Sequence, residues 1–238
     1  MSVDTTTQRS DFDRRFSTWV AITTALIVFI GFARTYYLKG VFGTPALSSG
    51  LVHLHGIVMT LWFALFVVQV RLIAAHRTDL HRRVGVVGAV LALLVLVVGI
   101  TTAIVAAKHG VTPGPPPLVF LSIPLGDMLV FAILVGLGLL FRRRRDIHRR
   151  LMLLASVGIL AAAIARIPIE FIATGGPLVF FGLTDLCVLI CVVFDTVKNR
   201  RLHPAFGWGT LFIVASQPLR LMLTDTAVWM QFATWLTA

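Results

Sequence analysis

Seven ionisable side chains stand inside otherwise apolar stretches: Arg34, His53, His55, Asp127, Arg166, Asp185 and Arg220, with Glu170 at the edge of another such stretch. Arginine grips carboxylate and phosphate groups through its planar fork of N–H donors. Carboxylates and imidazoles together can hold a transition metal or exchange protons. Two chemistries therefore arise from the same residues. One is binding of a small polar or anionic solute by Arg34, His55, Asp127, Arg166, Asp185 and Arg220. The other is a metal site drawn from His53, His55, Asp127, Asp185 and Glu170. No HxxxH or CxxC spacing marks the metal site.

His53 and His55 are two residues apart, about 200° around a helix, so they cannot face one ion together. His53 shares its face with Gly56, Thr60 and Ala64, small residues suited to close helix packing. His55 shares its face with Met59, Trp62, Phe66 and Gln69, which can wall a pocket. Haem held by two histidines needs them on facing helices; these share one, and His109 falls in a connection, so such a haem is disfavoured. Cys187 and Cys191 lie four apart in one apolar run and read as core thiols. The lysines, Lys39, Lys108 and Lys198, all lie at run ends, which excludes a retinal Schiff base.

The charges themselves balance, Arg34, Arg166 and Arg220 against Asp127, Asp185 and Glu170. A purely structural network is the competing reading, with Asp127–Arg166 and Asp185–Arg220 as the natural pairs, since buried ion pairs can specify an arrangement without stabilising it.

These residues must be positioned by a membrane bundle. Of 238 residues 58% are hydrophobic and 13% charged, and mean hydropathy is +0.92. Soluble domains carry about a quarter charged residues. The composition excludes disorder and an ordinary soluble enzyme. Apolar runs at 17–37, 49–73, 84–107, 118–141, 151–173, 177–197 and 206–223 give an all-α bundle of seven transmembrane helices. Residues 1–16 form a cytoplasmic segment before a retained first helix, 17–223 the membrane domain, and 224–238 an interfacial amphipathic helix with Thr224 or Asp225 as its cap.

The formal net charge of +11 invites a nucleic-acid reading, but its distribution argues against one. Of 21 Lys and Arg residues, 16 fall before the first run or between runs two and three, four and five, and six and seven. The positive-inside rule then puts the N-terminus in the cytoplasm and the C-terminus in the periplasm of a bacterial inner membrane. The opposite connections carry breakers: Gly43-Thr44-Pro45, the run 113–117, and Gly175-Gly176-Pro177.

Two basic turns are near-copies, Asp79-Leu80-His81-Arg82-Arg83 and Asp146-Ile147-His148-Arg149-Arg150, with a weaker third at Arg200-Arg201-Leu202-His203-Pro204. Three related hairpins follow one leading helix. In each copy Asp is expected to cap the next helix, with His and Arg at the headgroups. Counting 1.5 Å per residue from these turns puts the seven polar groups roughly 18–27 Å into a core of about 30 Å. They share its outer third, and the middle and inner layers read as apolar. Pro124, Pro168 and Pro218 lie within three residues of Asp127, Arg166 and Arg220, as kinked helices around an outward-opening bowl would require.

The stretch His55-Gly56, Gln69 and His81-Arg82-Arg83-Val84-Gly85 resembles a group of uncharacterised bacterial multi-pass membrane proteins that share an H-G, Q, H-R-x-x-G hairpin pattern. Leu202-His203-Pro204-Ala205, Ser216-Gln217-Pro218-Leu219-Arg220 and Thr226-Ala227-Val228-Trp229 look like the same group. The resemblance implies an inner-membrane helical bundle and brings no activity. Three functions stay open: a receptor or transporter for an anionic solute, a metal-dependent or quinone-linked enzyme acting on a lipid-soluble substrate, and an accessory subunit of a larger membrane complex. Membrane lipids are partners in all three, and the apolar inner half weighs against transport.

Overall fold

The computed structural model describes the backbone of residues 3–47, 49–112 and 114–238, and side chains from residue 14 onward within those ranges. Ser48, Pro113 and the charged N-terminal side chains, Arg9 among them, lie outside the described residues. The described chain is all helical, 83% helix with no strand. Six helices are long and apolar enough to cross a membrane: Arg14–Tyr37, Gly50–Ala74, Thr78–Lys108, Pro117–Leu140, Arg145–Ile164 and Glu170–Asn199.

α1 (Val3–Phe32) runs unbroken through the expected N-terminal segment and ends in a π-helical turn, Ala33–Tyr37, before the short α2 (Lys39–Phe42). α3 (Gly50–Ala74) starts at Ser49, whose hydroxyl accepts the Val52 N–H at 3.4 Å. α4 (Thr78–Lys108) follows after three residues. α5 (Pro117–Phe120) leads into α6 (Ser122–Leu140). α7 (Arg145–Gly158) and α8 (Ala161–Ile164) make up the fifth candidate span, α9 (Glu170–Asn199) the sixth. α10 (Pro204–Leu223) starts at His203, whose ring accepts the Ala205 N–H, with Pro204 in the first turn where no N–H is needed. α11 (Ala227–Thr237) is capped by the Thr226 hydroxyl on Trp229 N–H, rather than by Thr224 or Asp225 as expected.

The packing forms a ring around one helix. α1, α3, α4, α6, α10 and α9 contact their neighbours in that order, and the stacked rings of Phe16 and Phe194 close α9 back onto α1. α7 and α8 fill the centre and form the most enclosed of the six spans. Leu154, Val157 and Leu160 are fully buried there, against Phe131, Leu134, Val188 and Ile213 from the ring. With no hydrophobic drive between helices in lipid, close backbone approach supplies the packing. A Cβ on Gly31 would overlap the backbone of Ala163, and one on Gly209 would overlap Leu154.

All three repeated turns lie at one end, here the basic end. They are joined by contacts the sequence could not reveal: the His81 and His148 rings meet at 6.3 Å, and His203 Nε2 lies 3.1 Å from Asp146 Oδ2. His148 Nδ1–H donates to the Gly138 carbonyl at 2.7 Å, one of the free carbonyls ending α6. Neither Asp79 nor Asp146 is an N-cap; those positions are Arg77 and Arg144, and the acids sit in the first turn, where they favour the helix dipole.

Three further expectations change. The run 151–173 is not one helix. It loses regular bonding after Gly158, where Leu160 N–H turns to Val157 O, and it reverses across Arg166–Ile169. Pro168 favours extended backbone before it, and Ile169 is extended. The expected turn at Gly175-Gly176-Pro177 is instead a kink inside α9, where Gly176 takes φ 60°, ψ −153°. Finally, the half at the basic end is not purely apolar. Asp195 is buried between Arg150 Nη2 (2.7 Å) and Nε (2.9 Å), with Arg149 at 3.3 Å, and Arg150 covers the Phe206 ring.

Candidate functional site

The polar residues opposite the basic end fall into two groups. The first lies on the α6–α10–α9 side of the ring. Arg220 Nη1 donates to Asp127 Oδ1 at 2.5 Å and to the Ile123 carbonyl at 3.2 Å, and Nη2 donates to Ser216 Oγ at 2.8 Å. Phe181 from α9 covers the guanidinium at 5.3 Å. Gly126 is required here, because a Cβ would meet the Arg220 side chain at 2.7 Å. One turn back along α10, Gln217 Nε2 donates to Asp185 Oδ1 at 2.7 Å. The expected pairs Asp127–Arg166 and Asp185–Arg220 do not form. Asp127 takes Arg220, and Asp185 is held by a neutral amide.

The second group surrounds the broken end of the central helix. Arg166 Nη1 donates to Ala162 O at 2.7 Å, one turn earlier, and its guanidinium lies 4.9 Å over the Phe32 ring of α1. Among the described residues no carboxylate is within ion-pair distance of it. Arg166 is exposed, as is Ala162 beneath it. The guanidinium stands where the central helix ends, just before Pro168 and the start of α9. His55 of α3 is near enough to feel the Arg166 charge, and its Nδ1 is buried with no hydrogen-bond partner.

The π-helical turn supports this wall. Tyr37 O–H donates to Thr60 Oγ1 at 2.8 Å, since the Thr60 hydroxyl already gives its proton to Gly56 O at 2.6 Å. Tyr36 O–H reaches the His53 carbonyl at 3.3 Å, and its ring lies where a Cβ on Gly56 would be. A π turn is a costly local geometry that recurs at functional sites. No residue of the turn was singled out in the sequence beyond Arg34; Tyr36 and Tyr37 were missed, since tyrosines at the end of a span read as interfacial anchors.

The remaining candidates lie apart. Arg34 is exposed and covers Phe42 at 5.5 Å. His53 is exposed on the far side of α3. Glu170 is exposed in the first turn of α9. Among the described residues, no three of His, Cys, Asp and Glu come close enough to hold a metal ion, so the set His53, His55, Asp127, Asp185 and Glu170 is not gathered. The site offers two chemical capabilities: an arginine with N–H donors uncommitted to any acid, and an imidazole nitrogen awaiting a partner. Compared with protein-family models, curated proteins and solved structures, the chain matches none of them.

Proposed function

We propose that this is a multi-pass membrane protein that binds a small anionic solute at the broken end of its central helix, Arg166 being the anchor and His55 a second contact. The observation that carries the reading is the solitary Arg166. Of the two arginines in the fifth and seventh apolar runs, at similar depth by residue count, Arg220 is neutralised by Asp127, whereas Arg166 is exposed and has no carboxylate within ion-pair distance among the described residues. An ionised side chain at such depth costs several kcal/mol unless hydrated or paired, and a bound anion supplies the pair. Discontinuous helices inside a membrane bundle are a recurrent way to present a solute site.

The reading includes seven crossings, with α10 as the seventh. α10 is 20 residues long, and it runs beside α6 from the His203–Asp146 contact at the basic end to Arg220–Asp127 opposite. The site then faces the periplasm of a bacterial inner membrane, following the positive-inside rule.

The test is thermal unfolding of detergent-purified protein in acetate, phosphate and sulfate series. A ligand at 100 times its Kd stabilises by about 2.7 kcal/mol. Wild type should gain stability with at least one anion, Arg166→Gln should gain none, and Arg34→Gln should behave as wild type. Equal gains in wild type and Arg166→Gln would remove Arg166 from the site and with it this proposal.

A further inference from the structure

Asp127, Asp185 and Asp195 are each held by a side chain from another helix. Two of the holders are arginines, Arg220 and Arg150. The third is an amide, Gln217, whose Nε2 donates to Asp185 Oδ1 at 2.7 Å. Among the described residues no guanidinium or ammonium is within ion-pair distance of Asp185. Arg220, three residues along α10 from Gln217, is committed to Asp127, the Ile123 carbonyl, and the carbonyl and hydroxyl of Ser216. On the other elements that pack against α9, Arg166 stands past the end of α8 over Phe32, and the charged groups of α7 lie in its first two turns, at the basic end. Arg34, in the turn that ends α1, is exposed over Phe42.

Position makes this mismatch costly. Asp185 lies near the middle of α9, about 22 Å along the helix from Glu170 and about 21 Å from Asn199. It is half-buried at the border of the outward face, with Gly182, Leu186 and Leu189 exposed beside it, while Gln217 is buried. An ionised carboxylate without a cation is expensive at such a place in a bilayer, and a neutral carboxylic acid is not. The kind of holder matters as well. Arginine only donates, so it suits an acid in its ionised form alone; an amide donates through Nε2 and accepts through Oε1, so it serves an acid in either form. A hard metal cation takes about six oxygen ligands, whereas this pair offers a carboxylate and one amide oxygen. We infer that the Asp185–Gln217 pair is a proton-binding site within the membrane, Asp185 taking up one proton and Gln217 holding both of its forms. Uptake forms one O–H bond at Oδ2, the oxygen that Gln217 leaves free, and cancels the charge; the proton comes from water and returns to it. The site is separate from Arg166 and stands whether or not an anion binds there.

The probe is dicyclohexylcarbodiimide, an apolar reagent that adds to protonated carboxyls within reach of lipid and leaves an N-acylurea. The full chain in lipid vesicles is labelled across a pH series, and adducts are located by peptide mass spectrometry. At about pH 7 an ordinary aspartate is protonated in about one molecule in a thousand. Asp185 should there be labelled about tenfold or more above Asp127 and Asp195, and its labelling should decline as pH rises. Gln217→Arg should abolish the labelling by fixing the ionised form. Infrared spectra need no access for a reagent: the C=O stretch of a protonated carboxyl should be present in wild type at neutral pH and missing in Asp185→Asn. A wild type without that band, or equal labelling of the three aspartates, overturns the proposal. Protection of Asp185 by sodium chloride but not by choline chloride at constant pH also overturns it, since that marks a metal-cation site. Should a variant fail to fold, the wild-type labelling ratio and its pH dependence decide.

Discussion

The Arg150–Asp195 pair tests what a single buried charge contributes. Each residue is 5% exposed, and the carboxylate receives three hydrogen bonds from Arg150. Removing one partner strands the other, at a cost of about 3–5 kcal/mol, whereas replacing both by apolar groups of similar size is close to neutral. Asp195→Ala should therefore unfold at markedly lower temperature in detergent, and Arg150→Met combined with Asp195→Leu should recover most of the loss. A double variant no better than Asp195→Ala would show that the pair is not the source of the cost. Asp195 was invisible in the sequence for a physical reason. It stands three residues before Lys198, where a run of apolar residues is ending, so it reads as a headgroup charge. Its azimuth, inward against Arg150, is set by packing. The same limit explains the mispaired outer charges. Hydropathy and spacing placed Asp127, Arg166, Asp185 and Arg220 along their helices, but not which way each helix turns them.

The break in the central helix is an event at the scale of an element, and it depends on a crossing. At Gly31, α1 lies directly on the backbone of Ala163, in the single turn of α8 that precedes Arg166. A side chain there must push α8 away from α1, and overpacking of this kind costs about 1–3 kcal/mol. Gly31→Val should lower thermal stability by that order and abolish anion-dependent stabilisation. Gly182→Val, on α9 where nothing lies within 4 Å of a new Cβ, should stay within about 0.5 kcal/mol of wild type. Similar behaviour of the two would separate the crossing from the site. Helix existence was readable from apolar length, and each of the first four runs matches its helix closely. The fifth was misjudged because Ala161, Ala162 and Ala163 favour helix and are apolar. Only Pro168 hinted at a reversal, and the Gly175-Gly176-Pro177 signal nearby was stronger. Tertiary contact with α1 and α9 decides where the chain turns.

At the scale of the whole molecule, the count of crossings fixes which side the site faces relative to the termini. α10 falls short of the other six in apolar character, because Gly207, Gly209, Gln217, Pro218 and Arg220 replace hydrocarbon within its 20 residues. Those same residues are spent on contacts: Gly209 against Leu154, Gln217 on Asp185, Arg220 on Asp127. A helix that is polar because its polar groups are satisfied inside the bundle presents its remaining apolar side chains, Leu211, Val214, Leu219 and Met222, to lipid. On the proposed seven-crossing topology it would cross at lower mean hydropathy than its neighbours. Odd and even counts give opposite labelling patterns. In a Cys187→Ser, Cys191→Ser background, single cysteines at Val111, Arg143 and Asp225 occupy exposed sites in three connections. Seven crossings require Val111→Cys and Asp225→Cys to react with an impermeant maleimide from the same side of intact cells, and Arg143→Cys to react only after permeabilisation. If α10 does not cross, Asp225→Cys must share the behaviour of Arg143→Cys instead, and α10 would have to lie outside the hydrocarbon while still bonded to the start of α7 at one end and to α6 at the other. That geometry is at odds with a helix about 30 Å long running parallel to a spanning neighbour.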